Sequence, residues 1–300
     1  MSLRASSSTC AVVLGATLVC GTSLAARQAV PAFDLAATLQ RAGERVEYYF
    51  ARAQSIVCLE LVAVQPLGRA LSSEGFARRV QSELRVSWEP AVDTEAPFEA
   101  KTLRQVLQVN GHDPRENDYN NCTGPEQNDT ETPPLSMLLP QQRGEYDFSI
   151  SGTGRQDGRA ALLVDYRMKA RATVEVELIE NNERCISFDI DGGMRGRIWI
   201  DAETHDVLRL DKGLIGMIDI RLPETAARRS ASRRAVWTME RYDTSIRFKA
   251  VRFSDPDETL ILPVSAISVR VTRGSGSPRM RTTTSYTDYR RFLTGGRIVP

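Results

Sequence analysis

Histidine is almost missing from this sequence: His112 and His205 are the only two in 300 residues. Both fall in segments whose composition predicts turns, which do not suggest the rigid frame that a Ser-His-acid or Cys-His device needs. Gly-x-Ser-x-Gly, His-Glu-x-x-His and a phosphate-binding loop do not occur. Cysteine is sparse as well, with five in the chain, and Cys58, Cys122 and Cys185 lie too far apart for the close ligand spacing of a zinc site. Neither sign of charge is in surplus, with 39 Lys and Arg against 38 Asp and Glu. Nucleic-acid binders carry a basic excess that releases counterions from phosphates, so nucleic acid is set aside as a partner. These absences leave no catalytic, metal or cofactor signature, and the chain reads as non-enzymatic.

What is present begins at the N-terminus. Arg4 precedes an apolar run from Cys10 to Val19 and a small-residue stretch, Ser23-Leu24-Ala25, the order of a secretory signal peptide. Cleavage is expected after Ala25, so residues 1–25 carry no fold information. The run is about half the ~20 residues that a spanning helix needs, and no later run is long enough. An exported protein without a transmembrane segment in the mature chain follows, placed in the periplasm or outside the cell. Three cysteines survive cleavage. Cys122, in a polar loop, is one candidate for a bridge with Cys58 or Cys185 as the other, and three unpaired thiols are the equal alternative.

Asp34 can cap a helix, and behind it Leu35, Leu39, Ala42, Val46, Tyr49 or Phe50, and Ala53 recur at four- and three-residue steps. That spacing predicts one amphipathic helix over 34–54 whose stripe must cover something. From Ile56 onward the period is two. Ile198 and Ile200 share a face, as do Tyr146, Phe148 and Ile150, while Ile267, Val269 and Val271 alternate with Ser268 and Arg270. About a dozen such runs are joined by short turns, among them Ala202–Asp206, the glycine-punctuated 152–158 and 274–278. Short connections favour antiparallel pairing. The alternation slips phase near Ala250-Val251, which predicts a bulge there. So many strands with one clear helix predict a mainly β fold: a curved antiparallel sheet or incomplete barrel, residues 26–300, with the helix as its cover.

Two segments break the pattern. Residues 113–134 are polar and aperiodic, a long loop before a helical turn near Leu135–Leu139. Residues 223–235 gather Arg228, Arg229, Arg233 and Arg234 and read as a charged loop. Asp189-Ile190-Asp191-Gly192-Gly193 reads as a strand end and glycine turn rather than a calcium loop. Trp199 lies on the parity opposite Ile198 and Ile200, so either both faces of its strand are covered or the indole lines a surface.

The stretch Gly196-Arg197-Ile198-Trp199-Ile200-Asp201-Ala202-Glu203-Thr204-His205-Asp206-Val207-Leu208-Arg209 resembles the strand-turn-strand signature of the periplasmic lipoprotein-carrier (LolA-like) superfamily. That signature has a Gly, a Trp-x-Asp strand, a Thr-Gly turn and a basic residue on the return strand. Here His205 stands in place of the turn glycine. The ending, Thr284 to Phe292, is similar to endings of uncharacterised exported proteins of Acidobacteria-type bacteria. The resemblance implies an incomplete barrel whose apolar concavity shelters acyl chains, and it brings no catalytic or ligand residues. The expected function is therefore an envelope protein holding a lipid or hydrophobic ligand. A structural or protein-interaction module with an envelope protein partner is the alternative.

Overall fold

The computed structural model describes residues 34–53, 56–90, 98–116, 118, 135–178, 186–229, 234–254 and 256–291. The signal segment, most of the 113–134 loop, Cys122 and Cys185 lie outside these residues. The helix forms where the apolar spacing puts it: α1, Leu35–Arg52, starts on Asp34, whose carboxylate accepts the Ala37 amide, and buries Leu39, Ala42, Val46 and Phe50. The turn near Leu135 is a 3-10 helix, Ser136–Leu138, followed by the short α2, Pro140–Arg143.

Among the described residues the remaining regular structure is almost all strand. In chain order it runs β1 (Ile56–Pro66), β2 (Arg78–Pro90), β3 (Phe98–Val109), β4 (Tyr146–Gln156), β5 (Arg159–Met168), β6 (Thr173–Leu178) and β7 (Ile186–Asp191). It continues with β8 (Met194–Asp201), β9 (Val207–Leu214), β10 (Ile218–Arg221), helix α3 (Glu224–Arg229), β11 (Val236–Ser254), β12 (Asp257–Arg273) and β13 (Arg279–Arg291). One sheet of 11 strands has the order β3-β2-β1-β13-β12-β11-β9-β8-β5-β4, with β10 beside β11, and β6-β7 form a separate ribbon. Every pairing is antiparallel. Among the described residues the edge strands β3 and β4 do not pair with each other, and the sheet is curved but not closed.

The curl is visible in the core. Leu39, Val46 and Phe50 of α1 share one cluster with Ile56 of β1, Val164 of β5, Ile198 and Ile200 of β8, Leu210 of β9, Phe248 of β11 and Leu262 of β12. Strands so far apart in order can meet one helix only if the sheet bends around it. A second cluster gathers Ile218 and Ile220 of β10, Ala226 and Ala227 of α3, and Trp237 and Met239 of β11, against Val174, Val176 and Phe188 of the β6-β7 ribbon.

Several local expectations need correction. The 152–158 stretch is not one turn: β4 continues to Gln156 and only Asp157-Gly158 turn, both at positive φ (48° and 84°), as a type I′ hairpin requires. Gly152 marks a register shift in the middle of that strand. The phase slip in β11 is real, since Phe248 and Phe253 are both buried. Its register against β12 shifts twice, between Met239 and Arg241 and between Arg247 and Phe248, where Val264 is passed over; the second shift lies a few residues before the expected place. Part of the 223–235 segment is not loop but α3, because Ala226 and Ala227 have an apolar cluster to enter. For the cysteines the alternatives narrow rather than change: Cys58 is a free, buried thiol, and Cys122 and Cys185 lie outside the described residues. Burial, with Glu60 close by, pushes the pKa of Cys58 up to about 12, so it stays protonated.

Candidate functional site on the concave face

Residues directly opposite each other on paired strands share a face, so the ladder registers trace rows across the whole hollow. The first row runs Ile150, Val164, Ile198, Leu210, Ile246, Ala266, Thr284, Val62, Val80, Val109, from β4 to β3. Nine of its ten residues are apolar. One step along the strands the second row reads Phe148, Tyr166, Gly196, Lys212, Thr244, Ser268, Thr282, Val64, Arg78. A third, shorter row holds Tyr242, Arg270 and Met280.

These rows divide the concave face into three zones. The β4-β5-β8-β9 side and the neighbouring ends of β11 and β12 are filled by α1 and the 135–139 segment, with Phe50, Leu138, Ile198 and Ile200 fully buried. The opposite end lies under the β6-β7 ribbon and α3. Between them is a strip in which Val62, Val64, Ala266 and Met280 are half-buried and belong to neither cluster. Thr244, Ser268, Thr282 and Tyr242 make no side-chain hydrogen bond among the described residues, and the Thr244 hydroxyl is buried without a partner.

Two cations stand where this strip meets the second cluster, against which Tyr242 and Phe188 pack. The Lys212 ammonium is 5.9 Å from the centre of the Tyr242 ring, and the Arg270 guanidinium is 5.6 Å from that of Phe188. Burial lowers the pKa of Arg270, with the neighbouring Tyr242 acting the other way. Neither cation has a carboxylate within 4.0 Å among the described residues. On the same face, by contrast, Glu60 is 2.8 Å from Arg104 and both are largely buried.

The first half of the resembling motif is structural. Tyr166 reaches over Gly196 to donate to the Asp211 carbonyl at 3.2 Å, and a Cβ on Gly196 would lie 1.8 Å from that oxygen. Asp201, buried at the end of β8, accepts the Glu203 and Thr204 amides and pairs with Arg159 at 2.8 Å. Burial alone would raise its pKa, but these two amides and Arg159 outweigh it and hold the carboxyl below its usual range. Asp206 in the same turn takes Arg45 of α1 at 2.6 Å, which ties the covering helix to the hairpin. His205, standing in place of the glycine, has φ +62°.

Trp199 faces outward, between Arg197 and Arg209 at 5.9 and 4.5 Å from its ring. Ile267 is outward too and 47% exposed; Val269 pairs with Arg281 and Asp243 on that same outer side. It is therefore Ser268 and Arg270 that look into the hollow. A period of two gives two faces and does not label the inner one, so the alternation in the sequence could not identify Arg270 or Lys212. The structure does not bring the two histidines together: His112 follows β3 at one rim and His205 follows β8 at the other.

Two clefts lie outside the concave strip. One of ≈ 820 Å³ is bordered by Arg167, Arg171, Met217 and Arg221. Another of ≈ 490 Å³ is bordered by Arg69, Arg234, Arg273 and Arg279, with Glu240 pairing Arg273. Both sit at the rim where β5 and β12 end.

No protein-family model and no curated protein matches the chain. Among solved structures, a domain assigned as an outer membrane lipoprotein-sorting protein from Vibrio parahaemolyticus aligns at 11% identity over 86% of this chain and 92% of its own, with a TM-score of 0.42. A DUF1329 family protein from Desulfovibrio piger aligns at 9% identity over 86% and 93%, with a TM-score of 0.38. A LolA superfamily protein from Nitrosomonas europaea is similar at 10% identity over 87% and 95%, with a TM-score of 0.31.

Proposed function

We propose that residues 26–300, after removal of a signal peptide at 1–25, form one domain that acts outside the cytoplasm as a non-enzymatic binding protein. Its ligand is hydrophobic or lipid-like and lies along the concave strip. The observation that carries this reading is the half-exposed apolar stretch of Val62, Val64, Ala266 and Met280, between two packed clusters and on the inner side of a curved sheet. Apolar surface held in a hollow is the usual composition of a small-molecule site. Native mass spectrometry of the gently purified mature protein tests it. A mass excess that disappears on organic extraction is expected, and the bare polypeptide mass with no lipid in the extract would sink the proposal.

A second reading has its own support. Under α1 the hollow is filled by the protein's own side chains, with Phe50 and Ile198 fully buried, as in a module that binds a protein partner of the envelope and no small ligand. Bare mass in that experiment, together with an empty extract, is the outcome that this reading predicts.

A further inference from the structure

We infer that the strip takes an acidic amphiphile, with Lys212 and Arg270 binding its anionic head and the apolar row beside them receiving its chain. The inference rests on the ligand-binding reading above and deepens it. A guanidinium set among Tyr242, Met280 and Phe188 has lost much of its hydration, and buried charges are ordinarily paired. The described residues offer Arg270 no carboxylate, although the fold supplies acids freely elsewhere: Asp165, Asp211, Asp243 and Glu83 each take an arginine on the outer face. Lys212 is in the same position over Tyr242.

The register brings the two cations into range of one small anion. Lys212 sits opposite Thr244, and Arg270 opposite Tyr242, two residues along. Two strand spacings and two residues separate their Cα atoms by about 12 Å, which two long side chains bridge down to one head group. The Thr244 hydroxyl, buried and unpartnered, lies between Lys212 and Ser268 in the row below. One step away Ala266 and Val62, half-buried and outside both clusters, continue the apolar first row beside the cations. A carboxylate or a phosphate monoester has the right charge, and either gains charge-assisted hydrogen bonds from both cations.

The mature protein, titrated calorimetrically with hexadecanoate, hexadecanol and inorganic phosphate, separates the cases. Hexadecanoate is expected to bind about tenfold or more tightly than hexadecanol, and phosphate alone weakly. The Lys212→Met/Arg270→Met variant is expected to lose that preference while keeping its affinity for hexadecanol. Arg270→Lys guards against a folding defect by keeping the charge and most of the preference. Arg247→Met, an unpaired arginine on the outer face, should change nothing. Equal affinities for the two chains in the wild type, or a preference that survives the double variant, would overturn the acidic-head assignment alone. Binding of neither chain would overturn the ligand-binding reading with it. Phosphate bound as tightly as hexadecanoate would show a free-anion site and also overturn the inference.

Discussion

The two faces of the same strands handle charge differently. On the outer face arginines meet acids across or along the strands: Arg197 with Asp165, Arg209 with Asp211 at 2.7 Å, Arg85 with Glu83 at 2.8 Å. These pairs are partly in water, so each contributes ~0–1 kcal/mol, and their effect is a polar surface rather than stability. On the inner face there are fewer charges and each has a larger consequence. Glu60 and Arg104 are paired and buried, whereas Lys212 and Arg270 face aromatic rings and have no carboxylate partner among the described residues. An inner cation without an acid works against stability, which is the pattern expected where a site is arranged for a ligand rather than for the resting fold.

The largest way to break this contrast is to put a charge where the hollow is filled. Ile200 is fully buried in the main cluster while Trp199 next to it faces out. Ile200→Asp is expected to cost several kcal/mol, about 4 or more, because an unpaired carboxylate enters an apolar core. Trp199→Asp should cost clearly less. Thermal melting of both variants checks the face assignment, and equal losses would refute it.

Next comes the removal of one partner from each kind of pair. Glu60→Gln leaves the Arg104 guanidinium mostly buried without its acid and is expected to lose ~2–4 kcal/mol. Asp165→Asn on the outer face should lose less than ~1 kcal/mol. Urea denaturation reads both, and a ratio near one would show that burial does not separate the two faces.

Acid sharpens the comparison further. The carboxyl of Asp201 titrates below its unfolded value, so the stability it contributes is complete above the unfolded pKa of ~3.9 and is lost as pH falls through the folded value. Wild-type melting should therefore decline below about pH 4. Asp201→Asn is expected to be ~1–2 kcal/mol less stable at pH 7, with a flatter acid limb. Parallel acid limbs for the two proteins would remove Asp201 as the cause.

How much of this was legible follows from which forces are local. Helix spacing behind Asp34 and the alternation of every strand are set by near neighbours in sequence, so α1 and the strands appear where the residues place them. The inner face of β12 was not legible, because Ile267 and Val269 look like core residues by composition. Only their pairing with Thr283 and Arg281 of β13 and with Ser245 and Asp243 of β11 places them outside. Lys212 and Arg270 were hidden for the same reason. A cation inside an alternating run looks like the wet face until long-range register says otherwise. The free state of Cys58 likewise depends on packing, since spacing alone left its pairing open.

The unpaired inner cation should show a trade between stability and binding. Arg270→Met replaces a desolvated charge by an apolar side chain of similar length beside Met280, Tyr242 and Phe188. The ligand-free protein is expected to gain ~1 kcal/mol, seen as a raised melting temperature. A lowered melting temperature would mean that Arg270 supports the resting fold.

The smallest effect is expected in the turn that ties the hairpin to α1. His205 occupies the left-handed region at φ +62°, and its side chain makes no hydrogen bond among the described residues. Glycine there would relieve a strain of ~1 kcal/mol but would also give the unfolded chain more freedom, by a similar amount. His205→Gly should therefore change stability by no more than ~0.5 kcal/mol in either direction. His205→Val, β-branched and poorly suited to positive φ, should lose ~1–2 kcal/mol. Melting curves of the two variants that coincide would show that the turn relaxes to ordinary φ, and that the backbone of Ala202–Asp206 is not held by Asp201 and Asp206 as the hydrogen bonds from Glu203, Thr204 and Arg45 require.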